Sequence, residues 1–271
     1  MMVLIAAVVG LIATWLVPRE MAGWHLAEAQ EARAEGDDDR ASAEMTKALR
    51  WLPEKPGLYL QRAAWRLEDR EFAKALDDAK QAEKVNGDSY QVLSLKAQIL
   101  QHLGRHAEAV RAWEAIGRLP EFADGNGRAM TLNGVAYARA VGRLKIKEGL
   151  AEATEALNLA PGSAAVLDTH AFLLHLDGQH AEALEEMNQA VEGMERDFEY
   201  QRYAQDDWRK QQIRAARGLD LTGINKPETG VAVVRYHRAL VLQALGREEE
   251  AEQDLERVRE LIGREPDETL F

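Results

Sequence analysis

Hydrophobic and polar positions recur along this chain in a repeating block. The segment GQHAEALEEMNQA at 178–190 echoes REFAKALDDAKQA at 70–82, GRHAEAVRAWEAI at 104–116 and GREEEAEQDLERV at 246–258. The first two echoes start 34 residues apart, and the last two 68, twice that spacing. Each block has the apolar spacing of an amphipathic helix. Each also follows a second apolar stretch in which alanine keeps a fixed place. Counted from 22, 56, 90, 129, 164 and 232, the eighth residue is Ala29, Ala63, Ala97, Ala136, Ala171 and Ala239. The twentieth is Ala41, Ala75, Ala109, Ala183 and Ala251, with Gly149 in the fourth unit, which carries one extra residue. The twenty-seventh is Ala48, Ala82, Ile116, Ala156, Ala190 and Val258. Small side chains at fixed places let two antiparallel helices and the next unit approach closely. Gly104, Gly178 and Gly246 suit the end of a first helix. Pro53, Pro120 and Pro161 close units because proline cannot continue the helical ladder. The pattern predicts six helical hairpins, at 22–55, 56–89, 90–123, 129–162, 164–197 and 232–265, within a solenoid over 21–265. Residues 266–271 are left as a tail.

Three stretches depart from the pattern. Residues 1–17 (MMVLIAAVVGLIATWLV) carry no charge, and Pro18, Arg19 and Glu20 end the run. At ~1.5 Å per residue such a helix is ~25 Å long, just short of a ~30 Å hydrocarbon core. Three readings stand: a single-pass transmembrane signal-anchor over 1–20, a cleaved signal peptide, or a buried first helix. The first is the expectation, because no basic stretch precedes the run and no cleavage motif follows it. The second departure is EFADGNGRAM, where Gly125, Asn126 and Gly127 predict a bend. The third is an insertion at about 195–230. Its first part reads as a helical extension and its second, LDLTGINKPETG, as a loop. It gathers Phe198, Tyr200, Tyr203 and Trp208 beside Arg209, Lys210, Arg214 and Arg217. Aromatic and arginine side chains concentrate in protein–protein hot spots. The insertion is therefore a candidate docking segment; the alternative is that its rings fold back and plug the concave face.

The hairpin register resembles the tetratricopeptide repeat (TPR) family over about residues 22–265. The stretch NGVAYARA…EGLAEATEALNLAPGSAAVLDTHAFLLHLDGQHAEAL is similar to the paired repeats of many bacterial TPR proteins. The resemblance implies an all-α solenoid and a role in protein interaction and assembly rather than catalysis. It also implies a membrane-anchored chain whose solenoid lies outside the cytoplasm. The lone Arg19 after the apolar run favours the opposite orientation. A TPR groove is lined by positions 2, 5, 9 and 12 of each first helix. Here these include Gln91, Ser94, Gln98 and Gln101, then Asp168, Phe172 and His175, then Tyr236 and Gln243. TPR adaptors that grip a terminal carboxylate carry lysine at position 5. The regular repeats here carry Leu26, Leu60, Ser94, Asp168 and Tyr236, so that clamp is absent.

Composition sharpens the picture. The 271 residues include 34 Lys+Arg and 46 Asp+Glu, a net charge of −12, which argues against nucleic acid as a partner. Zero cysteine excludes disulfides, thiolate catalysis and cysteine-ligated metal. Alanine supplies 44 residues and serine four, a helix-rich balance. The seven histidines show no ligand spacing: Gly104 separates His102 from His106, and His106 and His180 share a turn position. Asp37, Asp38 and Asp39 are too closely spaced for an EF-hand loop. Glu185 and Glu186 read as an ordinary surface pair. Phosphate-binding, dinucleotide, zinc-protease and nucleophile-elbow motifs do not occur. No catalytic, cofactor-binding or metal-binding residue is assigned. The expectation is a non-enzymatic scaffold binding a peptide or protein on its concave face. The alternative is a docking or assembly subunit of a membrane-associated enzyme or envelope complex, with the chemistry in another chain.

Overall fold

A computed structural model describes residues 16–205 and 227–266. Among the described residues there are twelve α-helices and no strand. They are α1 (Val17–Ala34), α2 (Asp38–Trp51), α3 (Pro56–Glu68), α4 (Phe72–Asn86), α5 (Tyr90–His102), α6 (His106–Ile116), α7 (Gly125–Val141), α8 (Ile146–Leu159), α9 (Ala164–Leu176), α10 (His180–Gln205), α11 (Pro227–Ala244) and α12 (Glu248–Ile262). A 3₁₀ turn, Pro120–Phe122, precedes α7. The helices pair as six hairpins in two compact units that part at Gly87 and Asp88: α1–α4 in the first, α5–α12 in the second.

One local device makes every hairpin. The fifteenth residue of each has positive φ: Gly36, Arg70, Gly104, Arg143, Gly178 and Gly246. The next residue then donates its N–H back across the turn. Asp37 bonds the Ala32 carbonyl, Glu71 that of Arg66, Arg105 that of Leu100, Leu144 that of Arg139, Gln179 that of Leu174 and Arg247 that of Leu242, at 2.7–2.9 Å. This is the six-to-one closure of a Schellman motif, which satisfies carbonyls left over at a helix end.

The small residues lie where backbones meet. All six alanines at the eighth position and all six residues at the twenty-seventh are 0% exposed. Gly149 completes the twentieth position: a Cβ there would come 3.1 Å from Leu173 Cδ2, so the fourth unit has little room even for a methyl. In the first unit Met45 and Leu49 pack with Leu26, Leu58, Tyr59 and Trp65 around Ala29. Full burial of each such aliphatic side chain contributes ~1.5–3 kcal/mol. Arg33 ties the two hairpins of that unit together, reaching Asp38 as well as Glu68 and Asp69.

A second periodic device sits at the twenty-third position. Five of the six hairpins place a carboxylate there and close it with an arginine or histidine from their own first helix. His25 Nδ1 lies 2.7 Å from Glu44 Oε2. Arg62 grips Asp78 with two bonds, of 2.8 and 2.6 Å, and Arg66 adds a third of 2.7 Å. Arg139 pairs with Glu152 at 2.8 Å, after the extra residue of that unit. His170 Nδ1 meets Glu186 Oε2 at 2.6 Å, and Arg238 meets Asp254 at 2.7 Å through two bonds. Asp78 and Asp254 are almost wholly enclosed. Buried carboxylates need such partners, since unpaired burial is costly. The third hairpin has Ala112 at this place.

In the second unit, α7 packs along α9, and α11 packs on both α9 and α10. The sixth hairpin thus stacks on the fifth although the insertion lies between them in sequence. α10 outgrows its repeat and runs to Gln205; Arg235 of α11 reaches back to Glu195, just before that extension.

The expectation of a single-pass, membrane-anchored chain is corrected. No helix among the described residues is long and apolar enough to cross a membrane. The charge-free run at 1–15 lies outside the described residues. The residues that follow it from Val17 belong to α1, whose buried stripe of Ala22, His25, Ala29 and Ala32 is that of an amphipathic hairpin helix carrying Arg19 and Glu20. The solenoid's placement outside the cytoplasm rested on that anchor and falls with it.

Candidate functional site

The first helices of the second unit, α5, α7, α9 and α11, carry the positions expected to line a binding face. On α5, Gln91 is exposed, Ser94 and Gln98 are half-buried and Gln101 is buried. Their spacing of three and four residues puts them on one side of the helix. The matching row on α7 is Met130, Asn133, Tyr137 and Ala140, and neither row contains a charge. The 3₁₀ turn and Gly125 separate the two helices. α5 meets α7 at one end, where Tyr90 Oη lies 3.8 Å from Met130 Sδ, and does not pack along it as α7 packs along α9.

Farther along, the face closes. Asp168 and Phe172 are buried, both against His237 of α11. His237 Nδ1 and Asp168 Oδ1 are 2.8 Å apart, and the Phe172 ring stacks on the imidazole with centroids 4.0 Å apart and planes 10° apart. Tyr137 stands 6.2 Å from the same imidazole. His175 continues the stack beside Phe172 and meets His180 Nδ1 to Nδ1 at 3.2 Å. Burial, with Asp168 close by, pushes the Tyr137 hydroxyl well above the ordinary tyrosine value. Burial also holds His175 down to about 4, helped by His180, His237 and Arg143. His237 is 0% exposed, so the Asp168–His237 pair joins repeats and offers no proton to a solvent-borne substrate.

The remaining expected residues divide. Tyr236 packs with Val233, Leu261 and Ile262 inside the last hairpin. Gln243 is exposed. Of the insertion, Phe198 is buried while Tyr200 is 68% exposed on the α10 extension. Trp208 and Arg209 lie outside the described residues, as does the Tyr203 side chain.

Some polar groups escaped the sequence reading. Gln101 Nε2, Asn133 Oδ1, Trp113 Nε1 and His106 Nδ1 are buried atoms with no hydrogen-bond partner among the described residues. All four lie on α5, α6 or α7. Burial lowers the His106 pKa. Trp113 lies flat against α7 at Gly134, where a Cβ would fall 2.3 Å from the ring. His106 meets Gly142 similarly, 2.5 Å from where a Cβ would stand. Glycine in NGVAYARA was the available signal for the first contact. Among the described residues no group of three or more His, Asp or Glu side chains could hold a metal ion.

The helical pairs, their Schellman turns and their small-residue seams define the class of fold, a TPR solenoid. No protein-family model matches the chain, and no curated protein sequence matches it. Solved structures do. PilW, a widely conserved type IV pilus biogenesis factor, is 16% identical with a TM-score of 0.58 over 88% of this chain and 92% of its own. A TPR protein from Parabacteroides merdae is 14% identical with a TM-score of 0.56, covering 90% and 94%. MamA from Desulfovibrio magneticus is 16% identical with a TM-score of 0.54, covering 64% and 94%. At these identities the likeness is one of fold.

Proposed function

We propose that this chain is a non-enzymatic interaction scaffold that binds a peptide or protein segment on the face formed by its first helices. The carrying observation is the α5–α7 part of that face, where uncharged side chains, most of them polar, line helices that do not pack along each other. Stacked hairpins present such a face continuously, which is how repeat arrays bind extended ligands. The TPR fold shared with a pilus biogenesis factor supports an assembly role over catalysis. The exposed Tyr200 on α10 supports a secondary contact from the insertion. Hydrogen–deuterium exchange on the full chain with a partner captured from its source cells tests the reading. Protection of α5 and α7 is expected. Protection confined to the α10 extension would move the site to the insertion, and a chain that captures no partner would overturn the proposal.

A further inference from the structure

We infer that two copies of this chain pair in parallel through the outer face of α1, along Val17, Met21 and Trp24. The inference is independent of the scaffold reading above. It starts from the third position of the hairpins, which is Leu58, Val92, Thr131, Val166 and Val234 in hairpins two to six. All but Leu58 are buried. Leu58 packs with Met45 and Leu49 of the hairpin before it, and Val234 joins Leu184 and Met187 of the hairpin before its own. No described hairpin precedes the first. Its third residue is Trp24, 56% exposed, and Val17 on the same side of α1 is 41% exposed. The last hairpin ends the series differently. At the twenty-eighth position, where Leu49 and Val191 are buried, it carries Arg259 paired with Glu252 and Glu265. An end repeat needs such a polar outer face. Trp24 is the reverse, a large apolar ring where an end repeat needs polarity.

The neighbouring sequence selects the occupant. Val17, Met21 and Trp24 have the four-and-three spacing of heptad d, a and d places, and they form a stripe of α1 apart from its buried one. The same frame continues upstream through Thr14, Gly10, Ala7 and Val3, all uncharged, and downstream it meets Glu28 and Glu31. A second copy brings the same sequence. In parallel order the charge-free stretch of one chain meets that of the other, and Trp24 meets Trp24. In antiparallel order that stretch would lie against Glu28 and Glu31 and offer their carboxylates no cation. Residues 1–15 of the same chain are disfavoured as the cover, because Leu16 joins α1 in right-handed helical geometry, φ −83° and ψ −50°, without a reversal. The last hairpin is disfavoured too. It would set Arg259 against Trp24, and such head-to-tail stacking does not close, whereas a twofold pair does.

Analytical ultracentrifugation of the full chain across the micromolar range provides the test. The parent should sediment at twice the mass of one chain. Trp24→Glu should weaken the pair at least about tenfold, equivalent to ~1.4 kcal/mol. In dilute samples its melting temperature should match that of the parent, because an exposed ring adds little to its own hairpin. The chain holds no cysteine, so Val17→Cys supplies a lone thiol on the seam. Mild oxidation should join two chains through it, as parallel order requires, while Glu249→Cys, exposed on the last hairpin, should stay unjoined. A parent that remains monomeric overturns the inference, and a monomer destabilised by Trp24→Glu identifies the chain's own residues as the cover. A dimer that Trp24→Glu leaves intact places the contact elsewhere and overturns it as well. So does a mass that keeps growing past the dimer, the mark of head-to-tail stacking. A dimer that Val17→Cys fails to link overturns the parallel order.

Discussion

At the residue scale, the fifteenth position of each hairpin shows what the turn requires. Four glycines hold the left-handed conformation there, while Arg70 at φ 62° and Arg143 at φ 49° hold it against their own Cβ atoms. A left-handed L-residue costs ~1–2 kcal/mol, and glycine returns ~0.5–1 kcal/mol of that through the unfolded chain. Arg143→Gly should therefore stabilise the protein by about 0.5–1 kcal/mol in urea unfolding, and a destabilised variant would show that the guanidinium holds the turn by other means. The twenty-third position makes a larger claim. Asp254 takes two bonds from Arg238 and one from Arg235 while almost fully enclosed. Asp254→Ala leaves two guanidinium groups facing an apolar side chain and should cost about 3–5 kcal/mol. The exposed Arg247–Glu250 pair is the control, with little change expected on Glu250→Gln.

At the element scale, hairpins three and four meet through shape as well as through the Arg139–Glu114 pair at 3.8 Å. The Trp113 ring occupies the place where any larger residue at 134 would put its first carbon. Gly134→Ala should force α6 from α7 and cost about 1–3 kcal/mol, and Trp113→Leu in the same chain should recover part of the loss; additive losses in that double variant would separate the two residues. The seams between elements were legible because backbone approach demands small residues at fixed places, and Ala29 or Ala239 can be read from spacing alone. The pairs at the twenty-third position were not, because their partner moves: His25 is fourth in its hairpin, Arg62 seventh and Arg139 eleventh, and it alternates between imidazole and guanidinium. Glu186 looked like half of a surface pair until His170 was seen beside it. Register placed Asp168 and Phe172 correctly on a first helix. It could not show that His237, 69 residues from Asp168 and across the insertion, would cover them.

At the scale of the whole molecule, shifted groups in both units couple the fold to acid, among them Glu44 and His175. In the first unit Glu44 is held below the ordinary carboxylate value by Lys47 and His25. Its contribution is present above that ordinary value and is lost as pH falls through the folded one. In the second unit His175 is held down to about 4, first by burial and then by His180, His237 and Arg143. The unfolded imidazole takes a proton near pH 6.5 and the folded one only near 4, so the unfolded state binds more protons throughout that window. Stability of the second unit should therefore be complete above about pH 6.5, decline as pH falls, and level off below about 4. Partial exposure of His175 screens the effect to about 1 kcal/mol. Thermal unfolding followed between pH 7 and 4 checks it, with His175→Phe as the decisive variant. Phenylalanine keeps a ring beside Phe172 but takes no proton, so its profile should be flatter than that of the parent across the window. Two parallel profiles would place the acid sensitivity elsewhere, and the remaining candidates are His106, whose pKa burial lowers, and Glu44, each separable by its own substitution to glutamine.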